Sequence, residues 1–372
     1  MKKLSKVSSK KTMPTSLHDL GFNSFFENEF SKSEEKSFVP ARVISEHKGM
    51  YRIQNEKGEF LAEISGKMRF TAVNRDDFPT VGDWVYIQEL EGENKAIIHS
   101  IFPRKTKLSR KAPGKNIEEQ ILCANIDTIF IVQPMDSTFN PNRIERYLTI
   151  AWESGAIPIV ILTKKDLCDS PESILLEAES VAIGTKVYAV SSLLNDGFDP
   201  IQTYLIHGKT IVFIGQSGAG KSTLINKLIG KELQKTNEIR DIDSRGKHTT
   251  THRELFVLDD GGLLIDTPGL REIQLWGDES ILEETFSDIE ELASQCKFPD
   301  CSHESEPGCA VLAALAKEEI SAKRFENYSK MKRELAFLES KMDESAKMRR
   351  KQKEKQLQKM IGEKLKQKYG KR

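Results

Sequence analysis

Residues 215–223 read GQSGAGKST and lie between the apolar run TIVFI and the helix-like run LINKLI. Glycines at these spacings let the backbone curl so that successive N–H groups face one anion. Lys221 can place its charge on the β- and γ-phosphates of a nucleotide, and Ser222 can offer its hydroxyl to Mg²⁺. The pattern predicts a phosphate-binding loop. Its members are Gly215, Gln216, Ser217, Gly218, Ala219, Gly220, Lys221, Ser222 and Thr223.

A second polar segment, DTPG, follows the apolar run LLI at residues 266–269. An aspartate at the end of such a strand can hold the hydration shell of Mg²⁺, which suits Asp266. The N–H of Gly269 can contact a γ-phosphate in the same arrangement. The segment therefore predicts the part of a nucleoside triphosphate site that holds Mg²⁺ and the γ-phosphate.

The segment TKKD follows the apolar run IPIVIL and predicts guanine recognition. A carboxylate at Asp166 can accept hydrogen bonds from guanine N1 and N2, whereas ATP would leave it unpaired. Alone, the tetrapeptide is more typical of a surface lysine pair, but its place at a strand end before the phosphate loop, with DTPG behind it, favours base reading. Two serines after a further strand resemble a loop that caps the base. The candidate base-reading residues are Thr163, Lys164, Lys165, Asp166, Ser191 and Ser192.

Residues 239–255 are polar and lack apolar periodicity, which is typical of a switch segment. They include the run HTTTH, and a threonine there can reach Mg²⁺ and the γ-phosphate. We expect Thr250 to do so, with Thr249 and Thr251 as alternatives. A plain solvated loop is the other interpretation of these residues.

Leu270 follows the DTPG segment at the position where many GTPases carry a glutamine that orients the attacking water. An apolar side chain cannot do this, so another group or a partner must. His248 is the nearest candidate, because an imidazole can polarise water near neutral pH. A histidine without a catalytic role is the alternative. The catalytic candidates are thus His248, Thr250 and Lys221.

The base-reading segments precede the phosphate loop, which reverses their usual order and indicates a circular permutation. Apolar strands alternate with helical stretches, which predicts a mostly parallel α/β sheet with every nucleotide loop at a carboxyl end. The last two strands are joined by DDGG, a hairpin signal. The strand candidates are 127–132, 157–162, 186–191, 210–215, 254–258 and 262–266.

Residues 296–309 read CKFPDCSHESEPGC and predict one structural Zn²⁺ site. Three thiolates and an imidazole make a closed tetrahedral ligand set. Reduced cysteines or a disulfide are the alternatives, and a cytosolic setting disfavours the disulfide. A long helix is expected from residue 311 to about 350. The ligand candidates are Cys296, Cys301, His303 and Cys309.

The N-terminal third contains short alternating segments divided by turn signals, which predicts a small antiparallel barrel of the OB type. Basic residues suggest contact with RNA, and Tyr51, Phe60 and Phe70 could stack on bases. Core packing is the commoner role for such aromatics. The segment LHDLGFNSFFENEF near the N-terminus has enough apolar content to dock on a folded surface.

The 372 residues hold 56 basic and 56 acidic side chains, so the whole chain has no bias toward polyanions. The charge is uneven, since 345–372 holds twelve Lys or Arg against two Glu, and the first twelve residues hold five Lys. These ends are either solubilising tails or contacts to RNA phosphates. No run of eighteen apolar residues occurs, so we expect a soluble, cytoplasmic monomer.

The chain resembles the ribosome small-subunit-dependent GTPase A family. The resemblance rests on the barrel, on the permuted order of TKKD, GQSGAGKST and DTPG, and on the CKFPDCSH…C cluster. The resemblance covers about residues 38–345. It implies that 163–166 and 215–223 bind GTP and GDP, that the cysteine–histidine cluster binds one structural Zn²⁺, and that the small ribosomal subunit with its rRNA stimulates GTP hydrolysis. From the residues themselves, we expect Ser222 and Thr250 to hold Mg²⁺ with the nucleotide. One departure is Thr163, where many GTPases carry asparagine.

The sequence thus predicts an α/β circularly permuted P-loop GTPase with an N-terminal OB-like barrel and a C-terminal α-rich zinc domain. The predicted function is late maturation of the small ribosomal subunit, in which GTP hydrolysis drives release of the protein from the subunit. An rRNA-binding module with incidental hydrolysis is the alternative, and a small-molecule kinase would need a phosphoacceptor pocket that the sequence does not indicate. The expected divisions are 1–37, a basic flexible extension; 38–111, the RNA-binding barrel; 112–272, the GTPase domain; 273–345, the zinc domain; and 346–372, a basic tail.

Overall fold

The computed structural model of the chain describes residues 16–35, 37–47, 49–112, 119–229, 253–266, 275–276 and 279–341. The chain forms two compact units. The first comprises Met1–Ser109 and Ile121–Ile273, and the second comprises Arg110–Gln120 and Gln274–Arg372.

Thirteen strands are described, and most coincide with the predicted apolar runs. Their bounds are β1 Val39–His47, β2 Met50–Asn55, β3 Gly58–Ile64, β4 Trp84–Glu89, β5 Lys95–Ile101, β6 Lys107–Lys111, β7 Glu119–Ala124, β8 Thr128–Pro134, β9 Ile157–Thr163, β10 Lys186–Ala189, β11 Thr210–Ile214, β12 Glu254–Val257 and β13 Leu263–Asp266.

The described helices lie before, between and after these strands. Their bounds are α1 Ser24–Lys32, α2 Gly66–Thr71, α3 Pro141–Glu153, α4 Pro171–Val181, α5 Asp199–Gln202, α6 Lys221–Ile229, α7 Ser287–Ala293 and α8 Ala310–Ala316.

The first five strands form a closed barrel. They are ordered β1-β2-β3-β5-β4, and pairing of β1 with β4 closes the ring. Alternate residues face inward, so that Val43, Ile53 and Ile98 are fully buried in its core. The predicted OB-like barrel is confirmed.

A parallel sheet carries the predicted nucleotide segments. Its order is β10-β9-β8-β11-β13-β12, and only β12 runs antiparallel to its neighbour. The strands β8 and β11 are buried along their whole length, as expected where helices cover both faces. Since β9, β8, β11 and β13 are parallel, their carboxyl ends meet at one edge.

The barrel and this sheet are joined through β1 and β12, which pair at Ser45 and Glu254. Arg52 on β2 supports the junction, with its Nη1 2.9 Å from the Glu254 carboxylate. The two sheets are therefore one continuous eleven-stranded sheet within the first unit.

A buried arginine on β1 also fastens this junction. The guanidinium of Arg42 donates to Thr210 Oγ1 at 2.8 Å and to the carbonyl of Asn125 at 3.1 Å. Burial lowers the pKa of Arg42 to about 10, although Asp127 and Asp83 oppose the change. A charge in this position is tolerated because its donors are satisfied.

Part of the N-terminal extension is packed rather than flexible. Phe22 and Phe26 are buried against Trp84 and Phe102, and the Phe22 and Trp84 rings meet edge to face at 4.7 Å. Asn23 caps α1 by accepting a hydrogen bond from the N–H of Phe25. The expectation of flexibility therefore does not describe residues 16–35, because burial of these aromatic rings outweighs the ordering entropy.

The helices α7 and α8 belong to the second unit, in which a further helix runs from 322 to 341. The single long helix expected from residue 311 is wrong, because α8 ends at Ala316 and the chain turns at Glu318, whose φ is 60°. Arg324 joins the segments by donating to both carboxylate oxygens of Asp288 at 2.9 and 2.7 Å. Among the described residues, no helix is long and apolar enough to cross a membrane.

Candidate functional site

The phosphate loop runs from the end of β11 to the start of α6, as predicted. Gly215 passes so close to β8 that a Cβ there would lie 2.2 Å from the carbonyl oxygen of Val132, and its φ is 146°. Only glycine fits this position. The helix dipole places positive potential at the start of α6, which favours an anion there.

Lys221 is the first residue of α6 and folds back over the loop. Its Nζ donates to the carbonyl oxygens of Gly215 and Gln216, both at 2.7 Å. The ammonium is thus held above the loop by backbone acceptors. A phosphate group bound in the loop would meet a positive charge that is already in place.

Thr163 ties the predicted base-reading segment to the phosphate loop. Its Oγ1 donates to the carbonyl of Ala219 at 2.6 Å, and its side chain also lies 3.4 Å from the place where a Cβ on Gly220 would be. The threonine is 2% exposed. A hydroxyl therefore makes the tether between the two loops at the position where many GTPases carry asparagine.

Asp166 and Ser191 meet, although 25 residues separate them in the chain. The hydroxyl of Ser191 donates to Asp166 Oδ1 and accepts from the N–H of Leu194 at 3.0 Å. On the outer side, Lys165 Nζ lies 2.7 Å from the carboxylate of Asp196, which lowers the pKa of Asp196. Ser192 is half-buried in the same loop.

A turn after β8 contributes residues that sequence analysis missed. Asp136 accepts from Lys164 Nζ at 2.9 Å, and the hydroxyl of Thr138 accepts from Gln216 Nε2 at 3.0 Å. Burial would raise the pKa of Asp136, but hydrogen bonds from Lys164 and Thr138 outweigh it and lower that pKa to about 2. The sequence signal was weak: Asp136 is a polar residue shortly after the buried strand β8. The neighbours of β8 in the sheet, β9 and β11, lead into the predicted nucleotide segments.

Asp266 ends β13, next to the strand that leads into the phosphate loop. Ser222 and Thr223 lie in the first turn of α6. The other predicted residues of the switch and magnesium side, namely Thr249, Thr251, Leu270, His248, Thr250 and Gly269, lie outside the described residues.

Four ligand atoms converge in the second unit. Those of Cys296, Cys301, His303 and Cys309 all lie within 4.8 Å of one another. The Cys296 and Cys309 sulfurs are 3.8 Å apart, and His303 Nδ1 lies 3.6 and 3.4 Å from these two sulfurs. The cluster could hold a metal ion, and none of its cysteines is in a disulfide.

The loop that carries the cluster is held in shape by one carboxylate. Glu306 accepts from the N–H groups of Ser302 at 2.8 Å and of Glu304 and Ser305 at 3.0 Å each. Hydrogen bonds from Ser302 lead in lowering the pKa of Glu306 to about 2. His303 takes a left-handed backbone with φ of 59°, so the Glu306 bonds stabilise a turn that aims its imidazole inward.

Comparisons with known proteins agree with this architecture. A family model described as RsgA GTPase matches residues 101–276, and one described as 50S ribosome-binding GTPase matches residues 210–360. The small ribosomal subunit biogenesis GTPase RsgA 1 of Listeria innocua is 46% identical over 321 residues, 86% of this chain and 90% of that protein. Its Oceanobacillus iheyensis counterpart is 44% identical over 304 residues, 82% of this chain and 87% of that protein.

Two solved structures are similar as well. YjeQ from Thermotoga maritima has a TM-score of 0.60 at 26% identity, covering 80% of this chain and 98% of its own. YloQ, described as a circularly permuted GTPase, has a TM-score of 0.57 at 26% identity, covering 84% and 97%. The permuted order of segments around one sheet edge and these likenesses lead to one conclusion: the chain belongs to the RsgA family of circularly permuted GTPases.

Proposed function

We propose that this GTPase acts in late maturation of the small ribosomal subunit, that the subunit accelerates its GTP hydrolysis, and that hydrolysis drives its release. The main support is the convergence of Thr163, Ser191 and Lys221, which follow or end three different strands, on one sheet edge. The relatives from Listeria innocua and Oceanobacillus iheyensis are named for small-subunit biogenesis. Such a factor would work as a monomer in the cytoplasm.

In the proposed guanine pocket, Asp166 accepts from the N1 and N2 donors of the base, and Ser191 and Ser192 cap it. The N–H groups of the phosphate loop and Lys221 bind the phosphates. Mg²⁺, when bound, would neutralise charge on the β- and γ-phosphates, and Ser222, Thr250 and Asp266 are its proposed holders. The ring of His248 and the N–H of Gly269 complete the proposed set.

The proposed metal in the second unit is one structural Zn²⁺. Zinc–sulfur bonds of about 2.3 Å in a tetrahedron place two sulfurs about 3.8 Å apart. The 3.8 Å between the Cys296 and Cys309 sulfurs fits this edge. Four protein ligands leave no open position, which favours a structural over a catalytic role.

The proposed function is tested by GTP turnover with and without purified small subunits. We expect slow intrinsic turnover and acceleration of about 10²-fold or more when the subunit is bound and completes the catalytic arrangement. Lys221→Ala should abolish turnover and leave the protein on the subunit. Rapid turnover without subunits, or normal release of Lys221→Ala, would refute the coupling and favour an RNA-binding module with incidental hydrolysis.

The barrel offers one aromatic ring to rRNA. Phe70 is 91% exposed at the end of α2, and Lys67, Arg69 and Arg75 beside it are exposed. Tyr51 is only 3% exposed, and Phe60 is partly buried against the barrel core, so Phe70 is the best exposed of the three rings. We propose that Phe70 stacks on an unpaired base.

Phe70→Ala should weaken binding to small subunits about tenfold, since stacking on one base contributes about 1–3 kcal/mol. Affinity is measured by sedimentation with a non-hydrolysable GTP analogue. Leu61→Ala is the matched control, because Leu61 is an exposed apolar residue of the same barrel without an aromatic face. Equal affinities of the two variants would rule the stacking out.

A further inference from the structure

The turn after β8 lies between the two nucleotide loops. In the sheet, β8 is flanked by β9, which leads into the base-reading segment, and by β11, which leads into the phosphate loop. The N–H of Met135 donates to the carbonyl of Thr163 at 2.8 Å, so the turn follows the base-reading strand closely. The side chains at 136–138 are therefore within reach of both loops.

A chain of hydrogen bonds crosses this turn. Gln216 Nε2 of the phosphate loop donates to Thr138 Oγ1 at 3.0 Å, and that hydroxyl donates to Asp136 Oδ1 at 2.6 Å. The other oxygen, Asp136 Oδ2, accepts from Lys164 Nζ at 2.9 Å. The N–H of Thr138 also donates to Asp136 Oδ1 at 2.9 Å, which fixes the carboxylate in the turn.

The Lys164 end of this chain is held in an uncommon conformation. Its φ of 59° lies in the left-handed region, which residues with a Cβ adopt only when their surroundings determine it. The Lys164 side chain is 34% exposed and that of Asp136 is 23% exposed, so the ion pair is partly shielded from water. A charge-assisted bond in this setting can set the direction of the backbone that continues to Asp166.

We propose that Asp136 and Thr138 form a positioning bridge that holds the base-reading loop and the phosphate loop at the spacing that a guanine nucleotide requires. Asp136 is a positioning residue, because it acts through Lys164 and touches neither base nor phosphate. Its loss displaces Asp166 relative to the base. The inference rests on the proposed guanine pocket.

The test measures equilibrium affinities for GDP and for inosine diphosphate, which lacks the exocyclic N2 amine. Asp136→Ala should weaken GDP binding about tenfold, the effect of one charge-assisted hydrogen bond, and weaken inosine diphosphate binding less, so that the ratio of the two affinities falls. In a Lys164→Ala background, the same substitution should change GDP affinity less than twofold.

Asp127 provides a matched control. It precedes the same strand at the opposite end, pairs with Lys209 Nζ at 3.0 Å and accepts from the N–H of Thr210 at 2.9 Å. Asp127→Ala should lower the melting temperature while the ratio of GDP to inosine diphosphate affinity stays at its original value. A purely structural Asp136 would behave in the same way.

Two outcomes would overturn the bridge alone. The first is an unchanged affinity ratio in Asp136→Ala, and the second is an equal loss of GDP affinity with and without Lys164. If Asp136→Ala does not fold, the isosteric Asp136→Asn is measured instead. An unchanged ratio of GDP to inosine diphosphate affinity in that variant would also overturn the bridge. Equal binding of both nucleotides by the unaltered chain would overturn the guanine pocket itself, and the bridge with it.

Discussion

Asp166→Asn is expected to weaken GTP binding about 10³-fold and to convert the preference to xanthosine triphosphate. Two charge-assisted hydrogen bonds, each contributing about 2 kcal/mol, are lost because an amide N–H meets the guanine donors. Xanthine carries an oxygen at position 2, to which the amide can donate. Competition binding with GTP, xanthosine triphosphate and ATP measures the change.

The control for this substitution is Asp169→Asn, which alters an exposed acid three residues further along the chain. It should leave the affinity for GTP within twofold of the original. The assignment of Asp166 to the base would be contradicted by a GTP affinity of Asp166→Asn within threefold of the unaltered chain, or by equal binding of GTP and ATP before any change.

Cys301→Ala is expected to abolish binding of the proposed Zn²⁺ and to unfold the second unit locally. A structural Zn²⁺ contributes about 10–16 kcal/mol of apparent binding free energy in zinc-finger peptides, which small units use to fold. We expect bound zinc to fall from one per chain to near zero, with loss of hydrogen-exchange protection in residues 279–341. Zinc released to a colorimetric chelator gives the stoichiometry.

Cys168→Ala is the matched control, since Cys168 is a half-buried free thiol of the first unit. It should retain one zinc per chain. Guanine nucleotide affinity should stay within threefold in Cys301→Ala, because the phosphate loop and the base-reading segment lie in the first unit. Full zinc content in Cys301→Ala would show that the predicted ligand set is wrong.

The fold could be predicted largely from local patterns. The runs that became β8 and β11 are mostly apolar without polar alternation, which is typical of a sheet covered on both faces. The barrel strands alternate, and each segment ends in turn residues. The convergence of Thr163 on Ala219 followed from the rule that parallel strands place their carboxyl-end loops at one edge.

The positioning bridge could not be predicted, because its residues have no characteristic spacing. Asp136 and Thr138 are ordinary turn residues, and their importance depends on the order of strands in the sheet. Docking of the segment with Phe22 and Phe26 was expected, but its partner was not, since Trp84 lies about sixty residues away in sequence. Both features depend on long-range packing, and the local sequence does not indicate which distant residues a segment contacts.

The pairing of β1 with β12 has a consequence for how the molecule can be divided. Without the barrel, β12 would be the outer strand of the parallel sheet, with its unpaired N–H and C=O groups open to self-association. Removal of the barrel would also remove Arg52 from the Glu254 carboxylate and Arg42 from its backbone acceptor on Asn125. An isolated GTP-binding fragment would therefore expose a sheet edge that is prone to self-association. Loss of the barrel during evolution would require another element to cover this edge.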